Sequence, residues 1–324
     1  LKTQIHMINN NFKNSTLDTL IKENCNYDFS KGVYDFLNDR GHYSDSFFIE
    51  YQKHSLIQFD SKNKLKLSED RFYECSNWEQ KNLSNKNFLE VGSGGGRFTE
   101  IILKTSCKLY TIDSSDSIYV NFDNNKKDIK NDETFFIKCD MENFPFKENS
   151  FDYILCYGVL QNTKNPKENI TNLLKYLGKK GKLSCDITKA KQFNFHLISP
   201  KYFWRNLTKR MNSKTLYKIV KFYVKRYYFI DTFLKKNFKT IGRIISKVIF
   251  PFPLLNYYYL DMDKDMQIEL SVLDTFDALA SKYDNPLTKQ DINNYLINLK
   301  KNNTDIKKSE LIETNDTFVI NIEK

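Results

Sequence analysis

Short apolar runs recur along the middle of the chain, each closed by a turn and followed by a segment of helical spacing. They occupy residues 87–91, 108–113, 134–139 and 150–156, and a fifth follows the helix-like segment and glycine turn at 173–181. An apolar run of this length between turn signals predicts a strand buried on both faces. Strands alternating with helical segments predict a parallel sheet with helices on either side. Near the end, residues 306–314 and 316–322 read as two strands joined by a tight turn, the hairpin that would close such a sheet.

Between these parts the periodicity changes. Over residues 214–230, Leu216, Ile219, Val220, Tyr223, Val224 and Tyr227 recur at helical spacing, while Lys214, Lys218, Lys221 and Lys225 form a separate basic stripe. This predicts an amphipathic cationic helix inside an insertion. The apolar stretch 241–260 is broken by Arg243, Lys247, Pro251 and Pro253, too polar to span a membrane. The amino terminus lacks the apolar core of a secretory signal, and a chain beginning at Leu1 reads as a fragment.

Charge sharpens the picture. Residues 191–260 hold 15 Lys or Arg against one acid, Asp231, an excess larger than the net +10 of the whole chain, so the remainder is net negative. Three readings of the insertion stand open: a solvated basic face on a helical substrate lid, peripheral contact with an anionic membrane, or recognition of an anionic acceptor. Nucleic acid ranks last, since no RNA-binding motif is present. With 40% hydrophobic and 15% aromatic residues among 324, the chain can bury a core. Six cysteines without a C-x-x-C pair fit a reducing, cytoplasmic setting, possible contact with the inner face of the membrane aside, and the four histidines do not pair with them at metal-ligand intervals, so no metal is expected.

Four of the ten glycines lie in one turn, Gly92, Gly94, Gly95 and Gly96, between a strand and a helix. Backbone without side chains lets a ligand approach closely, and a following helix aims free N–H groups at it. The dinucleotide fingerprint needs a glycine where Arg97 stands, and no Gly-Lys-Ser/Thr follows for a phosphate loop. A carboxylate, Asp113, closes the next strand at the distance suited to a ribose diol, although Ser114, Ser115 and Asp116 there are also ordinary helix caps.

The order Leu89-Glu90-Val91-Gly92-Ser93-Gly94-Gly95-Gly96 resembles motif I of class I S-adenosylmethionine-dependent methyltransferases of the type 11-like group, and the likeness extends over residues 86–187. It implies S-adenosylmethionine as cofactor, with Glu90 near its amino-acid part and Gly92, Ser93, Gly94 and Gly96 passing beneath it. By the same resemblance Asp113 and Ser114 would meet the ribose, Asp140 the adenine amino group and Met141 the ring. Residues 150–162 are similar to the motif IV loop beside the reactive methyl, with Tyr157 and Gln161; Asn162 stands where many relatives carry His. The segment 271–288 resembles methyltransferases of surface-polysaccharide biosynthesis, as do Gln58–Ser61 with Arg71 and Phe72. That implies a small-molecule or glycan acceptor. By their chemistry Asp274, Asp277 and Asp284 with Tyr283 are candidates to hold sugar hydroxyls, and Gln161 is a further acceptor-binding candidate; equally, Asp284-Asn285-Pro286 is an ordinary turn and Asp274 and Asp277 are helix caps.

A base is required only for a poor nucleophile such as a hydroxyl. Tyr157, Asp186 and His196 are candidates, each with a structural role as the stronger explanation. The expected fold is an α/β Rossmann-like doubly wound, mostly parallel seven-stranded sheet with an antiparallel last strand, plus a helical insertion. The expected domains are a helical cover over 1–80, a core over 81–190 and 285–324, and a basic aromatic insertion over 191–284. A catalytically silent nucleotide-binding or membrane-associating module and an NAD-dependent enzyme are the competing functions; binding of S-adenosylmethionine separates them.

Overall fold

The computed structural model describes residues 15–23, 25–37, 48, 51–52, 54–129, 133–190, 200–250 and 252–324. Its strands are β1 (Asp28–Ser30), β2 (Val33–Asp35), β3 (Asn87–Val91), β4 (Lys108–Asp113), β5 (Thr134–Lys138), β6 (Phe151–Cys156), β7 (Leu177–Thr188), β8 (Lys308–Glu313) and β9 (Thr317–Glu323). The principal helices are α1 (Ser15–Leu20), α2 (Leu67–Ser76), α3 (Arg97–Ile102), α4 (Ser117–Asn125), α5 (Pro166–Tyr176), α6 (Pro200–Thr208), α7 (Ser213–Ile249), α8 (Lys264–Ala280) and α9 (Lys289–Asn302).

The described residues form one nine-stranded sheet in the order β1-β2-β5-β4-β3-β6-β7-β9-β8. From β2 to β7 neighbours are parallel, while β9 runs antiparallel to both β7 and β8. The order reverses between β3 and β6, and in open parallel sheets ligands bind outside the carboxyl ends of the strands at such a switch. The Rossmann-like class and antiparallel last strand agree with the sequence reading; the count of seven is corrected to nine. The two extra strands, β1 and β2, lie in the segment expected to be a helical cover. They are three residues each, too short for a period to register, and β2 is placed by pairing with β5, a hundred residues away.

Two compact units divide the chain. One holds residues 1–42, 68–190 and 283–324, the other 43–67 and 191–282. In the first, strand alternation sorts side chains between two faces. Leu89, Val91, Tyr110, Ile112, Ile154, Leu183 and Ile320 enter the larger core with residues of α5 and α9, whereas Phe88, Leu109, Tyr153, Leu155 and Val319 pack with Phe72 of α2 and Phe98 of α3. That second face also carries the buried polar residues Glu90, Thr111, Ser184 and Asp186. Pro166 opens α5, where its missing N–H costs nothing, and a Thr288–Asp291 capping box opens α9.

In the second unit, the helix foreseen at 214–230 continues to Ile249 as α7. Leu216, Val220, Tyr223 and Val224 are buried as expected, with Tyr217 and Tyr228, but Ile219 is on the exposed side. Lys221 and Lys225 of the basic stripe approach Glu269 of α8 at 3.8 and 3.4 Å. At Lys239 the backbone leaves helical geometry (φ 43°, ψ −115°) and the chain doubles back. Ser246 donates to Asp231, and a β-carbon on Gly242 would overlap the carbonyl oxygen of Leu234, so the two arms pack antiparallel at close range.

Candidate active site

The glycine turn links β3 to α3, with φ of 69° at Gly92 and 96° at Gly96. Both need glycine for a second reason: a β-carbon on Gly92 would overlap Val159 of the loop after β6, and one on Gly96 would overlap Asn121 and Asn125 of α4. The turn is therefore clamped between two neighbours. Gly92 N and Ser93 N both donate to Ile112 O, at 2.9 and 3.0 Å, tying it to the end of β4.

Glu90 sits beneath this turn, 2% exposed. Its Oε2 accepts from Thr99 Oγ1 at 2.6 Å and Thr111 Oγ1 at 2.8 Å, while its buried Oε1 has no hydrogen-bond partner. Asn121 Nδ2 in turn donates to Thr99 Oγ1 at 2.8 Å and to Thr111 Oγ1 at 3.2 Å. Burial pushes the Glu90 carboxyl up to about 7, with the Asp113 charge adding to it and the threonine bonds opposing it. A buried carboxyl near neutrality with one oxygen unmet is poised for a cationic ligand. Ser93 Oγ, next in the same turn, is a second buried oxygen without a partner.

At the end of β4, Asp113 Oδ2 accepts from Gly94 N at 2.9 Å, and Oδ1 accepts from Ser115 N and Oγ at 2.8 and 2.7 Å. The carboxylate thereby braces the glycine turn. Ser114 beside it is half-buried; Asp116 holds the N-cap position of α4 but makes no side-chain capping bond. After β5, Asp140 Oδ1 accepts from Glu142 N at 2.9 Å, and Met141 is buried in the larger core while its carbonyl accepts from Asn172 Nδ2 at 2.8 Å. Cys139 N donates to Asp113 O at 3.1 Å, so the ends of β4 and β5 are joined directly. The parallel order β5-β4-β3-β6 puts Asp140, Asp113, the glycine turn and the Tyr157–Gln161 loop along one carboxyl edge.

That loop is fixed from beneath. Tyr157 is 5% exposed and shares a 2.6 Å hydrogen bond with Ser184; burial pushes its phenol well above the usual range. Asp186, 1% exposed, accepts from Gly158 N at 2.6 Å and from the Arg71 guanidinium. Burial works against the Arg71 charge, but the Asp186 charge and hydrogen bond outweigh it and raise the guanidinium further. Both proposed bases are thus occupied as supports. The third, His196, lies outside the described residues.

Of the four acceptor candidates, Gln161 and Tyr283 belong to the first unit and Asp274 and Asp277 to the second. Gln161 has a buried Oε1 without a partner, and its carbonyl accepts from Asn285 N at 2.8 Å, so the turn after Tyr283 packs on the β6 loop within the first unit. Asp274 and Asp277 belong to the second unit, on α8, where Asp274 accepts from Tyr257 and Asp277 Oδ1 from Ser281 Oγ at 2.9 Å. Both are interior to the helix, so neither caps its start. Arg71, and the α4 asparagines 121, 124 and 125, were not foreseen as site residues. Asn124 donates to Gly95 O at 2.9 Å and Asn125 to Gly96 O at 3.2 Å, contacts across nearly thirty residues that no local pattern announces.

Residues 89–185 match the family described as a methyltransferase domain. No curated protein matches the chain. Similar solved structures include a SAM-dependent methyltransferase from Aquifex aeolicus, 11% identical over 88% of this chain and 99% of that one, TM-score 0.43. Another is a putative S-adenosyl-L-methionine-dependent methyltransferase from Methanococcus maripaludis, 13% identical over 89% and 96%, TM-score 0.45. A third, from Thermotoga maritima, is described as a possible histamine N-methyltransferase and is 15% identical over 87% and 99%, TM-score 0.43.

Proposed function

We infer that this chain, which carries a methyltransferase domain and takes S-adenosylmethionine as its methyl donor, methylates a small-molecule or glycan-type acceptor. The observation that carries the placement of the donor is the unpartnered Oε1 of Glu90 below the glycine turn. A carboxylate there would hold the ammonium of the donor, with Ser93 beside it. Asp113 would meet the ribose diol with Ser114, and Asp140 with the Met141 backbone would meet the adenine.

Bound there, the donor would supply an electrophilic methyl on sulfur: an acceptor lone pair would bond to the methyl carbon as the carbon–sulfur bond breaks, the neutral thioether leaving and the acceptor's proton passing to water. The chain's own residues hold, orient and exclude water. Gly92 and Val159 keep the β3 and β6 loops in contact, and Asp186 fixes the Gly158 amide, so the loop that would carry the acceptor has a set position. Gln161 offers an unmet acceptor oxygen suited to a hydroxyl. With the Tyr157 phenol raised by burial and Asp186 held by Arg71, the base that a hydroxyl acceptor requires would come from neither of these two residues. A glycan acceptor is in keeping with the resemblance of residues 271–288 to polysaccharide-linked methyltransferases.

Calorimetry with S-adenosylmethionine, repeated on Asp113→Ala and with NADH as control, tests the donor. Micromolar binding that Asp113→Ala weakens at least about tenfold is expected; absent binding, or preference for NADH, sinks the reading. Acceptors are then sorted by transfer of labelled methyl to sugars, sugar nucleotides and amines. Transfer confined to amines would remove the glycan assignment.

A further inference from the structure

The second unit has a face that its own core does not use. Helix α7 carries ten Lys or Arg and one acid, Asp231. Asp231 is fully buried, pairs with Lys235 at 2.7 Å and accepts from Asn256 at 2.6 Å, so it neutralises nothing else on the surface. Arg226, Lys236, Lys239 and Arg243 are exposed. Among them stand large apolar side chains, also exposed: Phe229 (57%), Phe233 (60%), Phe238 (49%), Ile241 (64%) and Ile244 (59%). Because the chain doubles back at Lys239, these residues come from two antiparallel arms; Phe233 and Phe238, with ring centroids 6.3 Å apart, and Ile241 flank the bend at the tip, while Phe229 and Arg226 lie about three helical turns down the first arm.

We propose that this tip docks on an anionic phospholipid surface, its Phe and Ile side chains entering the acyl boundary and its cations meeting the headgroup phosphates. No helix among the described residues is long and apolar enough to cross a membrane, so the contact is interfacial. Long basic side chains suit that depth, since their stems lie along apolar surface while their charges stay at the phosphates. A second copy meeting this face symmetrically would set cations against cations. Isoleucines offer bases neither a stacking face nor a hydrogen bond, which disfavours nucleic acid. The docking is independent of donor binding, so its failure leaves the proposed reaction standing.

The test is sedimentation of the full chain with phosphatidylcholine vesicles, with and without about 30% phosphatidylglycerol, at roughly 0.1 and 0.5 M salt. Binding to the anionic vesicles is expected, at least about tenfold weaker on neutral ones and weaker at high salt. Phe238→Ser with Ile241→Ser, and separately Arg226→Glu with Arg243→Glu, each lower it by about tenfold or more with unchanged circular dichroism. A tryptophan introduced by Phe238→Trp is quenched by brominated acyl chains. Absent sedimentation, equal binding to neutral vesicles, indifference to the Phe238/Ile241 change or an unquenched tryptophan each overturns the proposal. So does a vesicle-independent dimer dissolved by Ile241→Ser, which would assign the face to a second copy.

Discussion

Thr99 donates its hydroxyl to Glu90 Oε2 at 2.6 Å, bridging from the helix after the glycine turn to the strand before it. With Thr111 it fills one oxygen of a buried carboxyl and leaves the other unmet.

Glu90→Gln keeps the shape and removes the charge. S-Adenosylmethionine affinity should fall by ten- to a hundredfold, on the order of 1–3 kcal/mol for a charged hydrogen bond, while the ligand-free protein becomes more stable at pH 8. Calorimetry and thermal denaturation of the same sample check both; unaltered affinity would show that Glu90 does not face the donor.

The pH dependence has a definite sign. The folded carboxyl of Glu90 is raised from 4.5 to about 7, so its contribution to stability is full below about 4.5 and is lost as pH rises through 7, roughly 3 kcal/mol in all. A cationic donor favours the ionised form, so affinity should climb by up to about tenfold per pH unit below 7 and level off above it. Denaturant unfolding and titration calorimetry at pH 5, 6, 7 and 8 measure the two slopes, which must be opposite.

Gly92→Ala places a methyl against Val159 in a backbone conformation that disfavours side chains. A loss of about 2–3 kcal/mol is expected. Val159→Ala in the same chain should recover part of it, the steric part, with the positive φ remaining. Chemical denaturation of both variants tests this, and no recovery would mean the two loops do not touch.

Arg71→Met leaves Asp186 buried without its partner and should cost roughly 3 kcal/mol. Adding Asp186→Asn removes the unpaired charge, and most of that stability should return. If Asp186 instead takes a proton in the reaction, the double variant regains stability but no activity; if it supports the Gly158 amide, Asn serves there and activity returns with the fold.

The parallel sheet, the glycine turn and the carboxylates after β4 and β5 were legible because their causes are local. Apolar runs closed by turn residues, glycines between a strand and a helix, and acids at strand ends all lie within a few residues of one another. The amphipathic start of α7 was visible for the same reason. What only the tertiary structure decided came from contacts between distant segments: β2 recruited by β5, the α4 asparagines on the glycine turn, Arg71 neutralising Asp186, and α7 folded back at Lys239 against Gly242. Burial is a property of the assembled fold, so the sequence could place Glu90 in its motif but could not reveal that one of its oxygens is sealed from water and unmet.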